Sequence, residues 1–409
     1  MTLAEVAIES IAAGGDGVGR ADGLVVFVPR TAPGDVVQAD VTPRGRFARG
    51  TVRALVRRSP DRQEPECAHY DGDHCGGCQL QHLRYDAQLA AKGRIVQDAL
   101  VRIGRRQVGP PPVRPSPSPW RYRRKLTLAL RRRGRGWIAG LHPYDAPGRV
   151  FALADCLITD ERVLEVWRAV MAASDLLPAA AELRGGVRVG DDGASLAIEG
   201  GDAWPASARF FERVPRLREL WWRPERGVLS ALHARGEARS PGASFAQVNL
   251  EVAAALRDYV VERVLAHRPR SVIDAYAGLG DAAAALASAE RSVVAIEVDP
   301  AAAAWCAGRL PPGSRSVVAR VEDALPDALP ADVVVLNPPR AGIDARVAAT
   351  LDAARPATRA VIYVSCDPAT LARDLLRLPA WRIASVVAFD MFPQTAHVET
   401  VCELVPEET

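Results

Sequence analysis

Cys366 stands in Tyr363-Val364-Ser365-Cys366-Asp367-Pro368, just after the apolar run Ala360 to Val364. Such a run reads as a buried strand that delivers a thiol to the mouth of a sheet. Thirty-three residues on, Glu399 lies in Phe392-Pro393-Gln394-Thr395-Ala396-His397-Val398-Glu399-Thr400. A thiol nucleophile and a carboxylate base suit substitution at a pyrimidine ring carbon. Carbon 5 of uracil becomes nucleophilic only after a thiolate adds at carbon 6 and leaves an enolate. A base must then remove the carbon 5 proton so that the thiolate is expelled. Cys366 fits the first role and Glu399 the second. A lone buried cysteine is more often structural. The helix start Asp367-Pro368-Ala369-Thr370 and the downstream carboxylate favour catalysis here. A nearby arginine or that helix N-terminus would favour the thiolate. His397 ranks below Glu399, as an orienting group or a second base.

A second constellation suits a nucleotide-like methyl donor. Asp274-Ala275-Tyr276-Ala277-Gly278-Leu279-Gly280-Asp281 joins an apolar strand to a helix. Its glycines permit a tight turn and close approach of a ligand to the backbone. Glu297 ends the next strand, twenty-three residues after Asp274, where a carboxylate can accept from ribose hydroxyls. Asp323 is a candidate for an adenine amino group. Asn337-Pro338-Pro339-Arg340 follows Val333 to Leu336. Two prolines fix that loop, and its amide would face the donor methyl. A nicotinamide site uses similar glycine spacing, but the third glycine is missing.

These motifs need a sheet to hold them. From about Phe245 helices alternate with apolar strands: Ser271 to Asp274, Ser292 to Glu297, Asp332 to Leu336, Ala360 to Val364 and Ile383 to Phe389. Asn249 to Ala266 and Asp281 to Ala289 are expected helices. The pattern predicts a doubly wound, Rossmann-like parallel sheet with ligands at the carboxyl ends of its strands. Residues 1–58 hold short strand candidates at Leu24 to Pro29, Asp35 to Ala39 and Gly50 to Ala54, a small β-barrel of OB type. The middle of the chain, 59–240, is β-rich. It begins with a cysteine loop, a helix over Tyr85 to Ile103 and a proline-rich linker over 108–119. The expectation is therefore a multidomain α/β protein divided as 1–58, 59–240 and 241–409.

The 409 residues are 48% hydrophobic and carry a net charge of only +3. Length argues for two or three domains. The cations are unevenly placed, with Arg121, Arg123, Arg124, Lys125, Arg131, Arg132, Arg133 and Arg135 in one short stretch. A basic stretch of this kind suits RNA phosphates. No apolar run reaches the ~20 residues that span a bilayer, and Glu5 and Glu9 interrupt any leader-like segment. We expect a cytoplasmic, monomeric protein with no membrane partner. Seven cysteines then read as thiols, metal ligands or catalysts rather than disulfides. Cys67, Cys75, Cys78 and Cys156 form a four-thiol set around the chelating loop Cys75-Gly76-Gly77-Cys78. Four thiolates serve an iron–sulfur cluster or a zinc ion. His69 and His74 are within reach as substitutes.

The chain resembles the S-adenosylmethionine-dependent RNA 5-methyluridine methyltransferases over nearly its whole length. The resemblance rests on Phe245-Ala246-Gln247-Val248-Asn249, the glycine turn, Glu297, the Pro-Pro-Arg loop, Ser365-Cys366-Asp367-Pro368 and His397-Val398-Glu399-Thr400, all in family order. It implies S-adenosyl-L-methionine as cofactor, held by Gln247, Tyr276, Asp281, Glu297 and Asn337. It implies Cys366 as nucleophile and Glu399 as base. It also implies a TRAM barrel at the N-terminus and a [4Fe-4S] cluster on Cys67, Cys75, Cys78 and Cys156, with zinc the lesser alternative. The substrate implied is a loop or single-stranded uridine of ribosomal or transfer RNA, flipped into the site. Two residues depart from the family. Asn337 stands where Asp is usual, and Ala277 where Cys is frequent. Three rivals stay open: an amino-group methyltransferase using Asn337, a non-catalytic RNA-binding protein, and a nicotinamide oxidoreductase with an iron–sulfur centre.

Overall fold

The computed structural model describes residues 2–134, 136–236 and 247–407. Phe245, Ala246 and Arg135 fall outside them. Five strands close the N-terminal barrel: Thr2–Ile11, Gly17–Ala21, Leu24–Val28, Val36–Arg44 and Phe47–Arg57. Alternation turns Val6, Ile8, Val26, Val28 and Val37 into its core.

A seven-stranded sheet forms the middle of the molecule. Its order is Ser230–Ala234, Leu217–Arg223, Gly193–Glu199, Glu182–Gly190, Lys125–Arg133, Gly136–Leu141 and Phe151–Ala152. The helices Glu161–Ala172 and Ser207–Arg213 cover one face, packing Trp167 and Phe210 against Leu126, Leu128, Val187 and Leu196.

The C-terminal sheet has eight strands, ordered Arg315–Val318, Ser292–Glu297, Ser271–Ala275, Val333–Leu336, Ala360–Ser365, Glu399–Pro406, Trp381–Phe389 and Val113–Arg114. The first five run parallel, and Glu399–Pro406 is antiparallel to both its neighbours. Ala360–Ser365 is buried at every position, as a strand with both faces covered must be.

Three stretches behave differently from the sequence reading. The proline-rich linker docks on the sheet, where Val113–Arg114 adds as the eighth strand parallel to Trp381–Phe389. An edge is where neighbouring prolines, lacking an N–H, are tolerated. The helix Tyr85–Arg102 joins the same body, since Val96, Ala99 and Leu100 share a core with Ile273, Val334 and Leu371. The alanine-rich helix ends early, as Asp281–Leu286.

Candidate active site

Strand register brings the thiol and the carboxylate to one corner. Ala360–Ser365 ends at the carboxyl edge of the parallel strands, and Ser365 lies opposite Thr400 of the antiparallel strand. The residue after Ser365 and the residue before Thr400 therefore share one end of the pair. They are Cys366 and Glu399. Glu399 is 4% exposed, and burial pushes its carboxyl up to about 7 against the pull of Arg340. Burial also raises the Cys366 thiol, with a further contribution from the Glu399 charge. Arg340 opposes both through its charge. The positive potential expected beside Cys366 is thus present, but desolvation outweighs it and the resting group is a thiol.

Arg340 is held by the helix that follows the cysteine. Asp367 caps Pro368–Leu375, accepting from the amides of Ala369 at 2.8 Å and Thr370 at 3.2 Å, with Pro368 in the first turn. Thr370 Oγ1 donates to the Arg340 carbonyl at 3.1 Å. The buried Asp374 accepts from the Tyr363 hydroxyl at 2.5 Å and the Ile343 amide at 2.9 Å. The sequence reading quoted Arg340 within its loop but gave it no role. Its signal was a cation directly after a rigid Pro-Pro turn.

The loop before Glu399 is fastened from far along the chain. Lys92 and Asp390, both fully buried, form an ion pair, and Lys92 Nζ also donates to the Phe392 carbonyl at 3.0 Å. Gln88 and Gln394 exchange two hydrogen bonds, Nε2 to Oε1 at 2.9 Å and backbone amide to Oε1 at 3.0 Å. The Tyr122 hydroxyl donates to the Pro393 carbonyl at 3.1 Å, and the Leu80 amide to that of Gln394 at 3.0 Å. Gln394 itself sits at φ 69°, a strained value for a non-glycine residue. His397 is pushed down by burial, then by Arg340, Lys92 and Arg123, so its ring is held neutral.

The donor turn is built from short-range contacts. Gly278 and Gly280 have φ of 56° and 76°. A Cβ on Gly280 would collide with Cys306 Sγ, whereas one on Gly278 would meet open space. Glu297 accepts from the Gly278 amide at 2.8 Å and the Asp299 amide at 2.9 Å. Asp274 accepts from Ala283 at 3.0 Å, and burial lifts its carboxyl to about 7. The backbone N–H of Asn337 donates to the Ala275 carbonyl at 3.2 Å, so the turn after Ala275, Asn337 and Cys366 follow the ends of three adjacent strands. Tyr276 lies in the turn with φ 62°. Asp281 is engaged by Arg309 at 2.6 Å, and Asp323 by Arg346 at 2.9 Å. Gln247 precedes Asn249, which caps Leu250–Ala266 and donates to Ser116 Oγ at 3.1 Å. The open space over Gly278 and the Glu297 carboxylate beside it fit a ribosyl donor.

Cys67, Cys75, Cys78 and Cys156 line one cavity of about 170 Å³. None is in a disulfide. Burial raises Cys75 to about 11 and also raises Cys78 and Cys156, each with a contribution from the neighbouring sulfurs. The Gly77 amide donates to Cys75 Sγ at 3.4 Å. Among the described residues, no three His, Cys, Asp or Glu side chains converge as one metal ion requires. The four sulfurs share a cavity without sharing a point. One zinc needs every sulfur ~2.3 Å from a single centre, whereas a four-iron cluster gives each thiolate its own iron. His69 is already used, its Nδ1 by Asp73 at 2.7 Å and its Nε2 by the Ala154 amide at 3.1 Å. His74 faces Asp145 at 2.6 Å.

No helix among the described residues is long and apolar enough to cross a membrane.

Residues 3–52 match the TRAM domain model, and residues 313–405 match the tRNA (uracil-5-)-methyltransferase model. An uncharacterized RNA methyltransferase of Halalkalibacterium halodurans is 32% identical, covering 98% of this chain and 96% of the relative. A counterpart in Gloeobacter violaceus is 33% identical over 98% of this chain and 95% of its own. The tRNA (uracil-54, C5)-methyltransferase of Pyrococcus abyssi, solved with S-adenosyl-L-homocysteine, superposes with a TM-score of 0.72 at 23% identity, covering 99% of this chain and 100% of that one. That likeness shows a common fold. The sequence relatives and the two domain matches place the chain in the S-adenosylmethionine-dependent RNA 5-methyluridine methyltransferase family.

Proposed function

We propose that the chain methylates carbon 5 of a uridine in ribosomal or transfer RNA through a covalent Cys366 adduct. The observation that carries this reading is the corner where the half-buried Cys366, the exposed Arg340 and the buried Glu399 meet at the strand ends beside the donor turn. Bound S-adenosylmethionine supplies an electrophilic methyl group, and Gln247, Tyr276, Asp281, Glu297 and Asn337 are the residues proposed to hold it. Cys366 adds through sulfur to carbon 6 of the uracil. Arg340 stabilises that sulfur as its proton leaves. The resulting enolate takes the methyl at carbon 5 as the methyl–sulfonium bond breaks and the donor leaves as a neutral thioether; Glu399 then takes the carbon 5 proton, and the electrons of that bond re-form the ring double bond and expel the thiolate. A carboxyl pushed up to about 7 is well matched to this task near neutral pH. Asn337 in place of a carboxylate retains hydrogen bonding to the donor region without adding charge.

Incubation with labelled donor and total RNA, followed by nucleoside analysis, tests the reading. Label in 5-methyluridine is the expected result, and its absence from every stable RNA would sink it. Transfer that survives Cys366→Ala would favour amino-group chemistry at Asn337.

The four cysteines are proposed to hold a [4Fe-4S] cluster. Such a group, when bound, would cross-link the loop Cys75 to Gln81, which leans on the catalytic loop through Leu80 and Gln394. Quantitation of iron and acid-labile sulfide, with Cys78→Ser as control, checks this.

A further inference from the structure

The N-terminal barrel touches the catalytic loop directly. Between its first two strands the chain turns over Ala12 to Asp16. The Gly15 amide donates to the Ala12 carbonyl and the Ala12 amide to the Asp16 carbonyl, both at 2.8 Å. Gly14 is exposed and Gly15 is buried. A Cβ on Gly15 would stand 2.4 Å from Gln79 Cβ, 2.9 Å from Gln79 Cγ and 3.4 Å from Ala396 Cβ. Ile11, the last residue of Thr2–Ile11, packs into one core with Leu80 and Ala396. Ala396 directly precedes His397 and lies close before Glu399.

Gln79 ties this contact to the loop it meets. Its Oε1 accepts from the Ala396 amide at 3.4 Å, and its Nε2 donates to the Gly76 carbonyl at 2.8 Å. The barrel is in turn fixed to the same cysteine-bearing segment. Arg30 lies over the rings of Tyr70 and Tyr144, its Cζ 3.8 Å and 4.5 Å from their centres, and donates to the Cys75 carbonyl at 3.1 Å. The buried His82 donates through Nε2 to the Thr31 carbonyl at 3.1 Å.

A φ of 90° at Gly15 calls for glycine by itself. Gly23 and Gly45 meet that demand in other barrel turns, at φ 77° and 70°, where an added Cβ would find open space. At Gly15 the missing side chain does something more: it lets the turn seat flush on Gln79 and Ala396. Contact between RNA and the barrel's outer surface would not require that close approach.

We propose that the barrel turn at Gly15 is a positioning element for methyl transfer, holding Gln79 and Ala396 so that the loop after Asp390 keeps Glu399 aligned with the target ring. This role rests on the proposed part of Glu399 as base, and it gives the barrel a share in the chemical step apart from any contact with RNA. A displacement of about 1 Å at a reacting centre can cost ~100-fold in rate. Loosening the loop would also admit water to Glu399, which the Arg340 charge and the Cys366 thiol face from the neighbouring strand ends. Hydration lowers a carboxyl that burial has raised.

The test uses the full chain, saturating S-adenosylmethionine and a stem-loop RNA with uridines in its loop. Gly15→Ala is compared with Gly23→Ala, which carries comparable backbone strain away from the loop. Gly15→Ala should lower the single-turnover rate about tenfold or more while RNA and S-adenosyl-L-homocysteine affinities stay at the wild-type level. The midpoint of its rate–pH profile should fall below that of the wild type. Gly23→Ala should match the wild type in both. Ile11→Ala, free of backbone strain, should repeat the loss of rate and the shift, and it carries the test where Gly15→Ala does not fold. Val26→Ala, in the barrel's own core, should lower the melting temperature without either effect. Equal rates and midpoints in Gly15→Ala and Gly23→Ala, or in Ile11→Ala and Val26→Ala, would overturn this inference alone, as would a loss confined to RNA affinity. A wild-type chain that binds RNA and donor but transfers no methyl group would overturn the parent reading and this one together.

Discussion

The donor turn and the catalytic corner occupy the same sheet edge but are built in opposite ways. At the donor turn nearly every contact is local: Asp274 with Ala283, Gly278 with Glu297, Gly280 against Cys306. At the catalytic corner the loop before Glu399 is held by Lys92, Gln88, Tyr122 and Leu80, some three hundred residues away in sequence. The donor turn is thus held within the parallel sheet and its own helices. The loop before Glu399, the proposed base, depends on the preceding cysteine-bearing segment and its helix being docked. Donor binding and catalysis should therefore be separable by mutation.

The largest separation should come from Cys366→Ala, with transfer falling on the order of 10⁴-fold or more while donor binding, followed by calorimetry, stays unchanged. Lys92→Met tests the long-range fastening. It strands the buried Asp390 carboxylate and should cost about 3–5 kcal/mol in urea unfolding, with activity lost before donor affinity. Lys92→Met with Asp390→Leu should regain much of that stability, because no buried charge is left unpaired.

On the donor side, Gly280→Ala forces a Cβ against Cys306 at a positive φ. A loss of about 1–3 kcal/mol is expected, read as weaker S-adenosyl-L-homocysteine binding. Cys306→Ala should relieve part of it by removing the sulfur.

The smallest effect is a pH dependence. With Glu399 at about 7, single-turnover transfer should rise about tenfold from slightly acid to slightly alkaline pH. Stability runs the other way. The folded chain keeps the Glu399 proton up to about 7, the unfolded chain only to its ordinary 4.5. The stabilisation is full below 4.5 and is lost as pH rises through about 7. Glu399→Gln should abolish that part of the decline, measured by thermal melts across the range.

The same contrast governs what the sequence revealed. The donor turn was legible because its residues are close in the chain and sit at strand ends that periodicity marks. Cys366 and Glu399 were legible as residue types, but their meeting depends on one antiparallel register, Ser365 opposite Thr400, which no local pattern specifies. Lys92 and Gln88 were unreadable. They lie on the buried side of the helix Tyr85–Arg102, and a lysine there reads as a surface residue until its partner is known. The linker's place on the sheet edge was hidden for a related reason, since a two-residue strand leaves no period. The basic stretch was visible, but not that Arg121 and Arg124 are taken by Asp155 and Asp191. Nor was it visible that Lys125 faces Arg188 across the sheet.

The most direct measurement is a covalent trap with stem-loop RNA carrying 5-fluorouridine, in the presence of S-adenosylmethionine. Fluorine cannot leave as a proton does, so Glu399 cannot complete the release. The account predicts a protein–RNA adduct that survives denaturation, with the modified nucleotide mapping to Cys366 by mass spectrometry. An adduct on another residue, or none from protein that binds both RNA and donor, would contradict it.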